Sequence, residues 1–122
     1  MIAFRGMDPR LRAHADYAVR WANSAGIYPT ITSVYRSWAN QERLRSRWEA
    51  GLSKWPANRP GDSAHNFGWA FDSWVPDDQM PTWAAIRRAI GWDVPSHDII
   101  HAGLPGWRQY RQSAFQRNTG TG

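Results

Sequence analysis

The sequence predicts an α+β fold, a small antiparallel sheet with flanking helices. Segments whose apolar residues recur at helical spacing are interspersed with segments rich in β-branched residues. The two kinds of segment do not follow the regular β-α-β alternation that predicts a parallel sheet. A chain of 122 residues has the size of one ordinary domain, and it shows no internal repeat. We therefore expect a single domain over residues 1–117 and a disordered tail over residues 118–122.

Helices are predicted where a capping residue precedes apolar residues at helical spacing and a glycine follows them. Asp8 and Ser37 are the predicted N-caps of the first two helices. Gly26, Gly51 and Gly91 are predicted to end the first three. The predicted helices cover residues 9–25, 38–50, 81–90 and 107–115.

Two segments have the composition of strands. Residues 28–35 are β-branched and alternating, and residues 69–75 resemble a buried strand. A third segment, residues 98–102, is a short apolar run around His101. Residues 51–63 contain two prolines and two glycines, which predicts a loop.

The charge of the chain comes mainly from arginine. Lys+Arg 15 against Asp+Glu 10 gives a net charge of +5, and Lys54 is the single lysine. A positive field favours an anionic partner, such as nucleic acid, an acidic glycopolymer or lipid head groups. Nine tryptophans are also present. Trp48, Trp55 and Trp107 are candidates for lining a substrate groove, with core packing as the alternative.

Several classes of protein are excluded by what the sequence lacks. Cysteine is absent, so disulfides and thiolate metal sites are excluded and any metal must bind His, Asp or Glu. The N-terminal segment has no apolar stretch of signal-peptide length. No apolar run reaches the roughly 18–20 residues that span a bilayer.

Two segments carry the candidate metal ligands. In the first, His65 lies in a loop and Gly68 can bring the backbone close to another segment. Asp72 then follows among aromatic residues, where a carboxylate is costly unless it is paired or bound to a cation. The alternative for Asp72 is a turn cap or an ion pair with arginine.

The second segment places Asp98 three residues before His101 in an apolar run. Side chains three apart on a regular strand face opposite sides, so both serve one site only if the backbone turns between them. His97 is a rival ligand, and a surface turn with incidental polar residues is the alternative. His14, on the first predicted helix, is interpreted as an ordinary surface residue.

Two imidazoles and one carboxylate form a typical catalytic zinc set, in which water takes the fourth position. A further carboxylate nearby can act as general base on that water.

These residues resemble a known family. The first segment has a pattern of spaced residues, Ser63, His65, Gly68, Ala70 and Asp72, and the second pairs Asp98 with His101. Upstream, Tyr35-Arg36-Ser37 is followed by Gln41. Together they resemble the zinc D-Ala-D-Ala carboxypeptidase and L-alanyl-D-glutamate endopeptidase family, which includes dipeptidases and phage endolysins. The resemblance extends from about residue 28 to residue 103 and implies the fold that this family shares with the hedgehog signalling domain.

The resemblance implies a role for each matching residue. It implies that His65, Asp72 and His101 bind Zn²⁺ and that Asp98 is the catalytic base. Arg36 would polarise the scissile carbonyl or stabilise the oxyanion. Ser63 and Gln41 are the implied substrate-binding residues, with support of Arg36 as the alternative for Gln41.

Two departures from the family pattern bear on specificity. Many relatives have Glu where this chain has Asp98, whereas endolysin-like members often have Asp. Ala102 and Gly103 follow His101, where many relatives have an aromatic residue.

The sequence therefore predicts a zinc-dependent peptidoglycan peptidase, an endolysin-type L-alanyl-D-glutamate endopeptidase. Its expected partners are the peptidoglycan stem peptide and anionic cell-wall polymers, and a monomer that binds no nucleic acid is expected. We expect synthesis in the host cytoplasm without a signal peptide and action on the wall after release. The alternatives are a D-Ala-D-Ala carboxypeptidase or dipeptidase, a basic nucleic-acid-binding module, and a metal-binding domain without catalysis.

Overall fold

The computed structural model describes residues 2–111 and contains three full-length α-helices around a three-stranded antiparallel sheet. The helices are α1 (Pro9–Ser24), α2 (Trp38–Glu49) and α3 (Met80–Ile90), and the strands are β1 (Thr30–Ser33), β2 (Ala70–Trp74) and β3 (His101–Gly103). Short 3-10 helices cover Ile2–Phe4, Ala64–Phe67 and Asp77–Gln79. The predicted class, a small antiparallel sheet with flanking helices, is confirmed.

The sheet has the order β1-β2-β3, with β2 in the centre and antiparallel to both neighbours. Asp72 on β2 is paired with Ser33 on one side and with His101 on the other. The register of β1 shifts between Ile31 and Ser33, which marks an irregularity of the bulge type in this edge strand. The central strand β2 therefore carries the predicted ligand Asp72, and the adjacent strand β3 carries the predicted ligand His101.

The predicted caps are present at both ends of the helices. The Asp8 carboxylate accepts from the backbone N–H of Arg10 at 3.0 Å, and Ser37 Oγ accepts from Asn40 N–H at 3.1 Å. Gly91 ends α3 at φ 109°, a left-handed conformation that suits glycine. α3 begins at Met80, one residue before the predicted start, because a 3-10 turn over Asp77–Gln79 leads directly into it.

The main core lies between α1, α3 and the sheet. Phe71 on β2 makes edge contacts with the rings of Phe4 and Trp92, at centroid distances of 5.2 and 5.1 Å. Trp83 of α3 is fully buried and donates its indole N–H to Ser73 Oγ at 2.8 Å. This packing fixes β2 against α3, so the sheet is a rigid support for side chains on its other face.

The first strand is shorter than the predicted 28–35. β1 is an edge strand of four residues paired with β2, and Tyr28 and Tyr35 beyond its ends are 71% and 54% exposed. The last predicted helix does begin at residue 107 and is helical to residue 111. Its remaining predicted part, 112–115, and the predicted tail at 118–122 lie outside the described residues. No helix within residues 2–111 is long and apolar enough to cross a bilayer.

Candidate metal centre

Three predicted ligands, His65, Asp72 and His101, come together beside the sheet. His65 Nε2 lies 3.1 Å from Asp72 Oδ1, and His101 Nδ1 lies 3.2 Å from the same oxygen. One donor atom from each residue falls within 4.8 Å of the other two. The arrangement brings two imidazoles and one carboxylate to a single point, which is the donor set of a catalytic zinc site.

Local structure places His65 with little freedom. It lies in the 3-10 turn Ala64–Phe67, and Ser63 Oγ caps this turn by accepting from His65 N–H at 3.3 Å. The turn ends at Gly68, which has φ 73°. A Cβ at Gly68 would lie 2.7 Å from the carbonyl oxygen of Gly6, so only glycine allows this close approach to the chain entering α1.

The tautomer of His65 suits a metal. Its Nδ1 lies 2.6 Å from the carbonyl oxygen of Val34. A carbonyl oxygen can only accept, so Nδ1 carries a proton. Nε2 then donates to Asp72 when it also carries a proton, and it offers its lone pair to a cation when it does not. This backbone contact orients the ring with Nε2 towards Asp72, as carbonyl acceptors commonly do for metal-binding histidines.

Asp72 is charged despite its surroundings. Burial alone would raise the pKa of its carboxyl group, but the hydrogen bonds with His101 and His65 outweigh burial and hold the pKa well below its usual range. Within residues 2–111, the ion-pair partners of Asp72 are these two histidines rather than an arginine. The charged form is the one that binds a cation.

All seven predicted site residues line one cavity of about 340 Å³, a volume within the range of ligand-binding pockets. They are Arg36, Gln41, Ser63, His65, Asp72, Asp98 and His101. The loop that precedes Ser63 also lines the cavity, through residues that include Ser53, Trp55 and Asn58.

The backbone does turn between Asp98 and His101. Asp98 N–H donates to the carbonyl of Pro95 at 3.1 Å, and His101 N–H donates to the carbonyl of Asp98 at 3.0 Å. The second of these turns, over residues 98–101, allows both side chains to line the cavity although they are three residues apart. His97 is exposed and lies outside both the ligand group and the cavity lining found among the described residues.

Arg36 is held by side chains from two elements. Its Nη1 donates to Gln41 Oε1 at 3.1 Å, and its Nη2 donates to Ser33 Oγ at 3.5 Å. Gln41 is 1% exposed and donates through Nε2 to the carbonyl of Asn58 at 2.8 Å. The Gln41 amide therefore makes one hydrogen bond with the arginine and one with the loop that precedes Ser63.

Sequence reasoning missed three contributors. The carbonyl of Val34 orients His65, and Asn66 Nδ2 donates to the carbonyl of Arg36 at 2.9 Å. The main-chain carbonyl of Asn58 accepts a hydrogen bond from Gln41 Nε2. Backbone carbonyls carry no sequence signal, so two of these contacts could not have been predicted. Asn66, next to a candidate ligand, could have been considered.

The three candidate groove tryptophans have different places. Trp55 lines the cavity and is 71% exposed. Trp48 lies under the guanidinium of Arg45 at 4.8 Å, and Trp107 packs on the ring of Phe67 at 6.3 Å between centroids. Of these three, Trp55 alone is positioned to meet a ligand in the cavity.

No family model matches the sequence, and no curated protein matches it. Solved structures do match. VanYB in complex with D-alanine-D-alanine is 16% identical, with a TM-score of 0.67, over 92% of this chain and 78% of that chain. The L-Ala D-Glu endopeptidase ChiX of Serratia marcescens is 23% identical, with a TM-score of 0.60, over 89% of this chain and 87% of that chain. The chain shares their fold.

A third match is a variant of the vancomycin resistance D,D-pentapeptidase VanY in complex with Zn(II). It is 17% identical, with a TM-score of 0.65, over 90% of this chain and 78% of that chain. At these identities the similarity establishes the fold, and the donor set described above is an independent observation on this chain.

Proposed function

We propose that the protein is a zinc-dependent peptidoglycan peptidase. The observation that carries this proposal is the convergence of His65, Asp72 and His101 on one wall of the cavity that Asp98 and Arg36 also line. The fold is that of peptidases, one of them in complex with Zn(II). A metal-binding domain without catalysis would not need a further carboxylate and a fixed guanidinium facing the same space.

The donor chemistry fits zinc. Two neutral imidazole nitrogens and one carboxylate oxygen are the ligand types that Zn²⁺ takes in hydrolases, and the cavity leaves room for water and substrate. Zinc in such a site acts as a Lewis acid and lowers the pKa of water from ~15.7 to about 7. His65, Asp72 and His101 would hold it.

Asp98 is proposed as the general base. It takes a proton from the attacking water and then returns it to the leaving amine, as a carboxylate positioned at the cavity wall can do. Because one turn of the backbone holds Asp98 close to His101, the base is fixed relative to the proposed ligands.

Arg36 is proposed to stabilise the oxyanion that forms on the scissile carbonyl. Its side chain is held by Gln41 and Ser33 before substrate arrives, so little reorganisation is needed during the reaction. We assign Gln41 to holding Arg36 and the loop carbonyl of Asn58. Ser63 lines the cavity beside His65 and is proposed to contact the substrate.

The finer proposal is an endolysin-type L-alanyl-D-glutamate endopeptidase. Arg36 is the one cationic side chain among the described residues lining the cavity, other than the histidines, and it is assigned to the oxyanion. The described lining offers no second arginine or lysine for the C-terminal carboxylate of a carboxypeptidase substrate. The Asp at position 98 and the similarity of fold to ChiX also favour an endopeptidase.

A D-Ala-D-Ala carboxypeptidase is the second candidate, favoured by the similarity of fold to VanYB in complex with D-alanine-D-alanine. We propose a monomer that reaches the wall after release from the host cytoplasm, with the net charge of +5 aiding binding to anionic wall polymers. Nucleic acid is disfavoured as a ligand of this cavity because Asp72 and Asp98 would repel phosphate.

Digestion of purified peptidoglycan tests the proposal. We expect cleavage that a chelator abolishes and that added zinc restores, with about one zinc per chain in the active protein. Mass spectrometry of the released muropeptides separates an endopeptidase from a carboxypeptidase, because the new termini differ. Cleavage indifferent to the chelator would overturn the zinc mechanism.

A further inference from the structure

The side chain of Arg87 on α3 is fully buried, which is unusual for arginine. No carboxylate within residues 2–111 forms an ion pair with it. Its guanidinium lies 4.9 Å from the ring centroid of Trp83, and Nε donates to the carbonyl of Trp83 at 3.3 Å. A buried charge of this kind is costly unless all its donors are used, so the contacts of its far end show what the group does.

The far end of Arg87 binds the segment that carries the proposed base and the last ligand. Nη2 donates to the carbonyl of Ile99 at 2.6 Å, and Nη1 lies 3.5 Å from the carbonyl of His101. The carbonyl between them, of Ile100, accepts from the backbone of Ser73 at 3.0 Å. The carbonyls of three consecutive residues, 99–101, thus contact the rest of the protein, and Arg87 provides two of these contacts.

We propose that Arg87 is a positioning residue, which holds the turn between Asp98 and His101 so that both side chains face the cavity. Arg87 is absent from the cavity lining, so it acts through the backbone and does not touch substrate. The effect of Arg87 on catalysis and metal binding rests on the proposed function, whereas its stabilisation of the turn does not.

The charge of Arg87 persists at neutral pH. Burial lowers its pKa to about 10, with a smaller lowering by Arg88, while the Asp72 carboxylate raises it. A protonated guanidinium makes stronger hydrogen bonds to carbonyl oxygens than a neutral donor, which suits a group that must keep a turn in one conformation. It also leaves a positive charge near Asp72.

The neighbouring arginine provides a matched control. Arg88 is exposed and donates from Nε and Nη2 to the carbonyl of Val94, at 3.0 and 2.7 Å. Like Arg87, Arg88 donates from its guanidinium to a backbone carbonyl, but its acceptor, Val94, lies seven residues before His101. Arg88→Lys should therefore leave the Asp98–His101 turn unchanged.

The test compares Arg87→Met, Arg87→Lys and Arg88→Lys in the full chain. Hydrogen exchange of the metal-free protein is the first readout, since the His101 amide is bonded within the turn. We expect exchange at Asp98 and His101 to become about tenfold faster or more in both Arg87 variants, with α1 amides unchanged. Arg87→Met keeps the buried volume without charge or donors. If Arg87→Met does not fold, the test rests on Arg87→Lys. Lysine keeps the charge but cannot contact the carbonyls of Ile99 and His101 with two separate nitrogens.

Zinc affinity and kinetics are the second readout. We expect the Arg87 variants to bind zinc about 10–100-fold more weakly and to show a reduced kcat with little change in KM. Wild-type exchange in the turn together with wild-type zinc affinity in Arg87→Lys would overturn the proposal. If the unmodified protein neither binds zinc nor cleaves peptidoglycan, the proposed function fails, while the exchange data still decide whether Arg87 holds the turn.

Discussion

The side-chain oxygen of Gln41 accepts a hydrogen bond from Nη1 of Arg36 at 3.1 Å, and the same amide donates to the carbonyl of Asn58 at 2.8 Å. One buried side chain from α2 thus links the proposed oxyanion group to the loop that precedes Ser63, which also lines the cavity. Glutamine suits this place because one amide offers both an acceptor for the guanidinium and a donor for the carbonyl.

Replacing Gln41 by methionine keeps the side-chain volume but removes both hydrogen bonds. Loss of the donor leaves the carbonyl of Asn58 unpaired, which we expect to cost about 1–3 kcal/mol of stability. Arg36 also loses its acceptor, so kcat should fall, though by less than the about 10²–10³-fold expected for Arg36→Met. Kinetics and thermal unfolding check both effects. Gln109→Met, at an exposed glutamine, is the control, and a wild-type kcat in Gln41→Met would remove Gln41 from the site.

Replacing Asp98 by asparagine should separate catalysis from metal binding. Asparagine has nearly the same shape but cannot take a proton, so cleavage should fall by about 10²–10⁴-fold. Zinc content should stay at the wild-type level, because Asp98 lies outside the group of converging ligand atoms. Asp93→Asn, at an exposed carboxylate in the same segment, should leave both unchanged. Loss of zinc from Asp98→Asn would show that Asp98 is a ligand instead.

The two histidines of this segment give a direct comparison. His101 lies 3.2 Å from the Asp72 carboxylate through Nδ1, whereas His97 is exposed and outside the cavity lining. His101→Ala should therefore lose most of its zinc at micromolar metal, and with it the cleavage activity. His97→Ala should retain both. Metal analysis after dialysis measures the difference, and the reverse result would exchange the two assignments.

The sequence predicted those features that depend on local interactions. Asp8 and Ser37 cap helices because each side chain reaches a backbone N–H two or three residues ahead, which spacing alone reveals. The α+β class followed in the same way from patterns within single segments. The ends of β1 could not be predicted, because they depend on pairing with β2, a strand about forty residues away in the chain.

The candidate site was predicted as a set of residues but not as a geometry. Spacing left His97 and His101 as rivals, and the turn over residues 98–101, which Arg87 of α3 contacts, places His101 beside Asp72. The burial of Arg87 gave no signal in a sequence with fourteen arginines, because its partners are backbone carbonyls. Groups held by main-chain atoms are recognised only once the fold is known.

The last prediction concerns the acid stability of the helix start. The Asp8 carboxylate caps α1 by accepting from Arg10 N–H, and it also accepts from the indole N–H of Trp69 at 3.1 Å. The hydrogen bond from the Arg10 side chain lowers the pKa of Asp8 from 3.8 to about 2, although burial opposes this shift. A lowered pKa means that the stabilisation is complete above about pH 4–5 and is lost as the pH falls towards 2.

Asp8→Ala should therefore destabilise the protein by about 1–2 kcal/mol at pH 7, from the lost cap and the unpaired Trp69 indole. The difference from the wild type should shrink as the pH is lowered from about 5 to 2, because the wild-type carboxylate becomes protonated. Urea unfolding with chelator present at each pH measures this difference without any contribution from bound metal. Asp16→Ala removes an exposed ion pair with Arg20 on the same helix and should cost less than about 0.5 kcal/mol at pH 7. A difference for Asp8→Ala that stays constant down to pH 2 would show that the charge of Asp8 does not contribute to the stability of the helix start.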